Sequence, residues 1–289
     1  MDYLLHIIIM INIYIILCTT TNLMVGMTNL VSMGQAAFYA VGAYVTTLSL
    51  MYFHFSLLPT LLLVMVANII LSIIIAIPTL RLKGDYFILG TLGFQLIIYT
   101  ILYNWIGVTK GPYGISGIPS PTIFGFEISG TGGFLILSSL LMALCLYVFY
   151  HLLKSPFGRV LMALREDEIA LSSLGRNPVA FKIWAFVVSS MFLGFAGFLF
   201  ASYISYIDPT SFSLDESIFI LAAVLIGGTG NLKGPIVGAI FVIILPELLR
   251  FVGLPDSIAA PMKQIIYGLA LILVARYRPQ GIAGAFKFE

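Results

Sequence analysis

The chain has 289 residues, of which 60% are hydrophobic and only 9% are charged, and its net charge is +2. Soluble domains carry about 25% charged residues, so this composition cannot cover a water-facing surface. Residues 3–80 contain no Asp, Glu, Lys or Arg, a run several times longer than the roughly 20 apolar residues of one membrane-spanning helix. The composition excludes a soluble enzyme, a disordered chain and a nucleic-acid binder, and it predicts a polytopic protein of the lipid bilayer.

Apolar runs separated by charges, glycines and prolines predict the membrane spans. These runs are continuous rather than alternating, so the spans are helices. They lie near 4–24, 31–51, 57–77, 86–104, 133–153, 183–205 and 262–276. A tract broken by Gly and Pro adds 216–230 and 234–250, which form either two thin spans or a re-entrant pair. The predicted fold class is therefore all-α, a helical bundle of about 8–9 spans that makes a single domain over residues 1–289.

The basic residues are unequally distributed between the two sides of this bundle. Eleven of the 14 fall on one side, namely Arg81, Lys83, Lys154, Arg159, Arg165, Arg176, Lys182, Lys233, Arg276, Arg278 and Lys287. The other side has Lys110, Arg250 and Lys263. Because cytoplasmic loops carry the excess of Lys and Arg, the first side is predicted to be cytoplasmic. The N-terminus is then outside and the C-terminus inside.

Ionisable residues avoid the predicted span centres. Asp215 and Glu216 fall at a predicted membrane interface, and Glu247 and Arg250 are close enough in sequence to pair at the outer end of a segment. Transporters coupled to protons or sodium usually carry such groups in mid-membrane, where they do the coupling. The spans themselves therefore show no energy source for transport.

Catalysis by this chain is also not expected. A phosphate-binding P-loop needs Gly directly before its Lys and Ser or Thr directly after it, whereas Leu232 and Gly234 flank Lys233 in the glycine-rich tract 227–234. Cys18 and Cys145 lie in separate apolar runs without the spacing of a metal site. We expect no catalytic site, no metal site and no cofactor on this chain.

The longest predicted cytoplasmic loop covers residues 154–182. Its leucines recur at helical spacing after Pro156 and Gly158, and Gly175 ends the pattern. Three successive acids, Glu166–Glu168, stand in its middle. From the residues alone, this segment is either a solvated loop helix or a charged docking element.

The stretch SPFGRVLMALREDEIALSSLG, residues 155–175, resembles the cytoplasmic loop of permeases of the branched-chain amino acid (Leu/Ile/Val) ABC importer family. Stretches at 29–45, 82–94, 109–119, 227–239 and 266–284 resemble the same family in the same order. The GDY and RPQG stretches are more similar to its M-type subunit than to its H-type subunit.

The resemblance implies a permease subunit of the bacterial inner membrane. It also implies a second, H-type permease subunit, two ATP-binding subunits that hold ATP and Mg, and a periplasmic or lipid-anchored substrate-binding protein. In this family the loop rests in a groove of the ATPase subunit. By motif match, the coupling positions are Gly158, Arg159, Arg165, Glu166, Asp167, Glu168 and Gly175. Urea, short amides or other amino acids are alternative cargoes, and a stand-alone secondary transporter or channel is the alternative class.

Two tracts of small residues follow polar breaks in the chain. Gly230, Gly234 and Gly238 form a GxxxGxxxG series, which brings helix backbones close together in a bilayer. This tract and the tract from Asn29 to Gly42 share a loose pattern, Asn-Leu followed by Gly, Ala and Phe, as an internal duplication would produce. Broken helices in corresponding halves can expose backbone groups to a polar solute. The predicted lining residues are Asn29, Ser32, Gln35, Thr229 and Asn231, and helix packing is the alternative role for each.

Overall fold

The structure is a computed structural model that describes residues 2–82, 84–123, 125–251, 256–278 and 280–284. Within these ranges the chain forms twelve α-helices. They are α1 (Asp2–Thr28), α2 (Gln35–Tyr52), α3 (Leu57–Thr79), α4 (Asp85–Asn104), α5 (Ile106–Thr109), α6 (Gly130–Lys154), α7 (Pro156–Glu166), α8 (Glu168–Ser173), α9 (Pro178–Ile204), α10 (Leu214–Gly227), α11 (Lys233–Phe251) and α12 (Asp256–Tyr277). The prediction of an all-α polytopic protein is confirmed.

Short extended pieces join the helices at one end of the bundle. Strand β1 (Ile115–Ser116) pairs antiparallel with β4 (Tyr206–Ile207), with Ile115 opposite Ile207. Strand β2 (Thr122–Ile123) pairs antiparallel with β3 (Phe126–Glu127). Two 3₁₀ turns, Gly111–Tyr113 and Pro209–Phe212, complete these connections.

Five helices in the described part of the chain are long and apolar enough to cross a membrane, namely α1, α3, α4, α6 and α9. Helix α10 has only 14 residues, which at 1.5 Å per residue reach about 21 Å. That length is less than the hydrocarbon thickness of about 30 Å. Helix α10 is therefore too short to cross a bilayer by itself.

Helices α1 and α9 form the centre of the bundle. In the most apolar 18 residues of α9, 67% are buried, compared with 56% in α1 and 22% in α4. Helices α9 and α2 pack closely, because a Cβ on Gly42 would overlap the backbone of Gly194 and one on Gly197 would lie 2.6 Å from the amide nitrogen of Ala43. Sequence analysis did not single out these glycines. Peripheral α4 leaves most of its surface for lipid or another subunit.

Two helices end in the same way and run in opposite directions. Helix α1 ends at Thr28 and α9 at Ile204, and the next residue in each case, Asn29 or Ser205, is a non-glycine residue with positive φ, 54° and 55° respectively. After each end the chain turns back into the bundle. On the α1 side, the amide of Met33 donates to Oγ1 of Thr91 at 3.0 Å. The segment after α1 therefore lies against α4 rather than in a surface loop.

The helices that follow these two turns meet deep inside the bundle. The side chain of Gln95, near the middle of α4, donates to the carbonyl oxygen of Phe212 at 2.9 Å. The start of α10 therefore lies near mid-depth. The amide of Ala36 at the start of α2 donates to Oγ of Ser217 on α10 at 3.0 Å. The N-terminal ends of α2 and α10 thus face each other in the interior.

Candidate coupling surface and polar path

The end of the bundle where α1 ends and α7 and α8 lie is called the basic end here, because Arg81, Lys154, Arg159 and Lys182 belong to it. Lys83 and Lys287 lie outside the described residues, as do the side chains of Arg250 and Lys263. The predicted pairing of Glu247 with Arg250 therefore cannot be described. Glu247 accepts a hydrogen bond from the hydroxyl of Tyr3.

Helix α7 is held directly against the end of α6. Oγ of Ser155, the N-cap residue, accepts a hydrogen bond from the amide of Gly158 at 3.2 Å. Such a cap satisfies one of the free amides at a helix start. A Cβ on Gly158 would overlap the carbonyl groups of Leu152 and Leu153, so only glycine permits this approach. Gly158 therefore positions the predicted coupling loop, residues 154–182, rather than forming its outer surface.

Arg165 connects α7 to α1. Its guanidinium donates to the carbonyl oxygen of Gly26, in the last turn of α1. Helix C-termini leave carbonyl groups without intrahelical partners, and the helix dipole favours a cation there. Partial burial lowers the pKa of Arg165, while neighbouring Glu166 acts to raise it. A guanidinium stays charged in proteins, so the contact is a charge-assisted hydrogen bond.

The acids of the loop have three different roles. Asp167 separates α7 from α8 and caps α8, because its Oδ1 accepts from the amides of Ile169 and Ala170 at 2.8 and 2.9 Å. Glu168 pairs with Nζ of Lys182 at 2.7 Å. Glu166 is exposed. Asp167 and Glu168 thus stabilise the loop, and Glu166 adds an exposed negative charge to its outer face.

The outer face of the loop also carries large apolar side chains. Ile169 is 78% exposed and Leu174 is 80% exposed. Arg159 is exposed as well, and Gly175 ends the loop with φ of 75°. The sequence reading counted Leu174 only toward helical spacing and did not single out Ile169. A mixed face of acids and exposed aliphatic side chains at the basic end is suited to contact another protein.

The five predicted lining residues occupy separate places. Asn29 is exposed at the end of α1, and Ser32 and Gln35 are buried at the start of α2. Thr229 is buried at the basic end, and Asn231 is half-buried beside it. Both polar atoms of the Gln35 side-chain amide are without a hydrogen-bond partner among the described atoms, and so is the hydroxyl of Thr229. Three of the five residues are therefore buried in this chain, and the lining role of all five stays a prediction.

The glycine series begins in a turn and continues into α11. Gly230 lies in the turn before α11, with φ of 92°. Gly234 and Gly238 lie on α11, where a Cβ on the first would overlap Gly228 and one on the second would overlap the carbonyl of Ala223. The two helical glycines therefore bring α11 close to α10 and its turn.

Sequence analysis missed Asn22 of α1. Its Nδ2 donates to the carbonyl oxygen of Asn231 at 2.9 Å, and its Oδ1 accepts from the amide of Gly230 at 3.2 Å. The available signal was the polar run Thr19–Asn22 inside an otherwise apolar span. A polar side chain within a span is usually paired, as here.

Glu216 departs from the sequence expectation. It was expected at a membrane interface, but its Oε1 accepts from the hydroxyl of Tyr14 at 2.7 Å, near the middle of α1. Both residues line a cavity of about 320 Å³ between α1, α10, α11 and α12, together with His6, Met10, Glu247 and Tyr267. The short α10, which starts inside the bundle, carries Glu216 to this depth. Among the described residues no group of three or more His, Cys, Asp and Glu side chains could hold a metal ion.

Comparison with known proteins identifies the family. The family described as the permease component of the branched-chain amino acid transport system matches residues 3–275. This chain belongs to that family. The high-affinity branched-chain amino acid permease protein LivM is 38% identical over 293 aligned positions in both Salmonella typhimurium LT2 and Escherichia coli K12. Each match covers 93% of this chain and 67% of the relative, so the chain spans about two thirds of LivM.

Two further relatives are less similar to this chain. A probable LivM of Methanocaldococcus jannaschii is 28% identical over 78% of this chain and 68% of its own length. The autoinducer 2 import permease LsrC of Yersinia enterocolitica is 29% identical over 68% of this chain and 53% of its own length. No solved structure matches the chain.

Proposed function

We propose that this chain is the M-type permease subunit of an ATP-binding cassette importer that moves branched-chain amino acids across the bacterial inner membrane. The observation that carries the proposal is the coupling loop, residues 154–182. Its outer face combines Glu166 with exposed Ile169 and Leu174, while Arg165 fixes its inner face to α1. A membrane permease without an ATP site of its own needs such a surface to receive work from an ATPase.

The proposed assembly places the ATP chemistry on other chains. Two ATP-binding subunits hold ATP and Mg and contact the coupling loop, a second H-type permease subunit completes the path, and a periplasmic or lipid-anchored protein delivers the substrate. This chain binds no cofactor and catalyses no reaction in the proposal. The basic end faces the cytoplasm, with the N-terminus outside, because the positive-inside rule supports that orientation.

The proposed topology has eight or nine spans, depending on whether α10 and α11 cross the bilayer separately. We propose an internal repeat that relates α1–α4 to α9–α12 in opposite orientations. The matching left-handed ends of α1 and α9 and the meeting of α2 with α10 at depth support this pairing. It differs from the loose repeat of residues 29–42 with 230–238 suggested by sequence. Inverted repeats with broken helices commonly surround a transport path.

One observation favours a second class of function. Glu216 at the depth of Tyr14 is an intramembrane carboxylate, and such groups often carry protons in secondary transporters. A stand-alone transporter would therefore use Glu216 for coupling and would need no ATPase. The coupling loop would then have no function, which is why the ABC importer is the preferred proposal.

Uptake by the reconstituted complex tests the function and the cargo together. The chain is purified with its associated subunits and binding protein, placed in vesicles, and supplied with radiolabelled leucine or urea, with and without ATP. We expect leucine uptake that requires ATP and a much smaller uptake of urea. Preferred uptake of urea would retain the architecture and refute the amino-acid cargo.

A further inference from the structure

A chain of hydrogen bonds connects the coupling loop to the turn between α10 and α11. The guanidinium of Arg165 on α7 donates to the carbonyl oxygen of Gly26 on α1. One helical turn earlier, Asn22 bonds the backbone of Gly230 and Asn231 with both ends of its amide. Residues four apart share one face of a helix. The same segment of α1 therefore contacts the coupling loop and the turn.

Gly26 allows the backbone of α1 to approach the backbone of this turn closely. A Cβ at Gly26 would lie 2.9 Å from the amide nitrogen of Gly230 and would overlap the side chain of Asn22. No side chain separates the two backbones at this point. Because densely packed interiors transmit displacement rather than absorb it, a shift of the end of α1 must also shift the turn.

The turn is fixed in the same manner on its far side. Oδ1 of Asn231 accepts from the amide of Gly234 at 2.8 Å, and its Nδ2 donates to the carbonyl of Ala283. The C-terminal segment also bonds the last turn of α10, since the amides of Ile282 and Ala283 donate to the carbonyls of Ile226 and Gly227, both at 2.9 Å. The turn, the end of α10 and the C-terminal segment are thus bonded together.

We propose that Asn22 is a positioning residue that transmits displacement of the coupling loop through α1 to the turn 228–232 and to α10. The inference rests on the proposed function, since it assumes that ATPase subunits move the loop. Asn22 suits this role because one neutral side chain supplies a donor and an acceptor at once. Helix α10 then carries the displacement inward, to the depth at which it meets α2.

Two variants of Asn22 and one matched control test this role. Asn22→Leu removes both hydrogen bonds at similar volume, and Asn22→Asp keeps the acceptor but loses the donor. Asn12 is the control because it lies on the same helix, is equally buried, and donates to Oγ of Ser138 and of Ser139 at 3.1 and 3.0 Å. The measured quantity is leucine transported per ATP hydrolysed by the assembled complex in vesicles.

We expect Asn22→Leu to hydrolyse ATP while its leucine-to-ATP ratio falls about 5-fold or more, the range typical of a coupling between sites. Asn22→Asp should fall less, and Asn12→Leu should keep the wild-type ratio even where its yield is lower. Arg165→Ala should lower the ratio too. Because the two contacts act in series, Arg165→Ala combined with Asn22→Leu should be no worse than the more severe single variant.

Several results would overturn the inference. These are an unchanged ratio in Asn22→Leu, an equal fall in Asn12→Leu, or additive losses in the double variant. Failure of both Asn22 variants to assemble, while Asn12→Leu assembles, would assign Asn22 to folding alone. If the wild-type complex itself shows no ATP-driven leucine uptake, the proposed function fails instead, and the two failures are therefore distinguishable.

Discussion

Replacing Gly197 with alanine tests the packing of α9 against α2. The added Cβ would lie 2.6 Å from the amide nitrogen of Ala43 and 3.0 Å from the carbonyl carbon of Gly42. Non-bonded heavy atoms settle at about 3.5–4.0 Å, so the helices must separate by about 1 Å. Overpacking costs about 1–3 kcal/mol, and rigid backbone contacts favour the upper value. Alanine favours the helix over glycine by about 1 kcal/mol, which offsets part of this cost. We therefore expect the free energy of unfolding to fall by about 2 kcal/mol.

The chain carries its own reporter for this measurement. Cys18 and Cys145 are free and fully buried, so a maleimide dye that fluoresces on reaction follows thermal unfolding in detergent. The control is Gly93→Ala on α4, where the new Cβ meets no atom within 4 Å. We expect a lower unfolding midpoint for Gly197→Ala and an unchanged or higher one for the control. Equal midpoints for the two variants would refute the close contact.

Three further predictions concern the assembled complex. Glu166→Lys combined with Glu168→Lys replaces two acids of the loop with lysines and removes the ion-pair partner of Lys182, so we expect normal insertion but lost uptake; unaltered leucine uptake would contradict docking at this face. Glu216→Gln keeps an acceptor for the neighbouring tyrosine hydroxyl, so we expect ATP-driven uptake to persist, whereas its loss would indicate proton coupling. Gln35→Cys is expected to resist thiol reagents in the resting complex, because Gln35 is only 1% exposed; rapid labelling without ATP would contradict this burial.

The sequence predicted the long outer helices closely, because hydropathy determines them. The spans at 57–77 and 86–104 correspond to Leu57–Thr79 and Asp85–Asn104. Both runs are mostly apolar and contain no charged residue. The leucine spacing of the coupling loop predicts one helix, but the structure has two helices, separated at Asp167. An aspartate that caps the following amides starts a new helix even where the leucine spacing continues.

The depth of the broken helices could not be predicted from the sequence. Hydropathy reports how apolar a segment is and not where in the bundle it begins. The start of α10 is located by the bond from Gln95 to Phe212, a contact between residues far apart in the chain. Its position carries Glu216 inward to Tyr14, although the sequence placed that acid at an interface. Contacts between residues far apart in the chain thus determine where the polar side chains lie in the interior.

Asn22 illustrates why the candidate site was only partly predicted. The resemblance to the family identified the coupling loop and the stretch 227–239 as separate features. Their connection runs through a residue inside an apolar span, where a single Asn is outweighed by its neighbours. Gly26, which permits the contact, is equally inconspicuous in a chain with 27 glycines.

In the proposed function, this chain is a gated path whose energy comes from partner ATPase subunits. The most direct measurement compares the accumulation of radiolabelled leucine in vesicles that contain the whole complex with accumulation in vesicles that lack only the ATPase subunits. A proton gradient is imposed on both, and ATP is supplied on the side of the basic end. We expect accumulation of leucine against a gradient only when both the ATPase subunits and ATP are present. Accumulation driven by the proton gradient in their absence would contradict the proposed function.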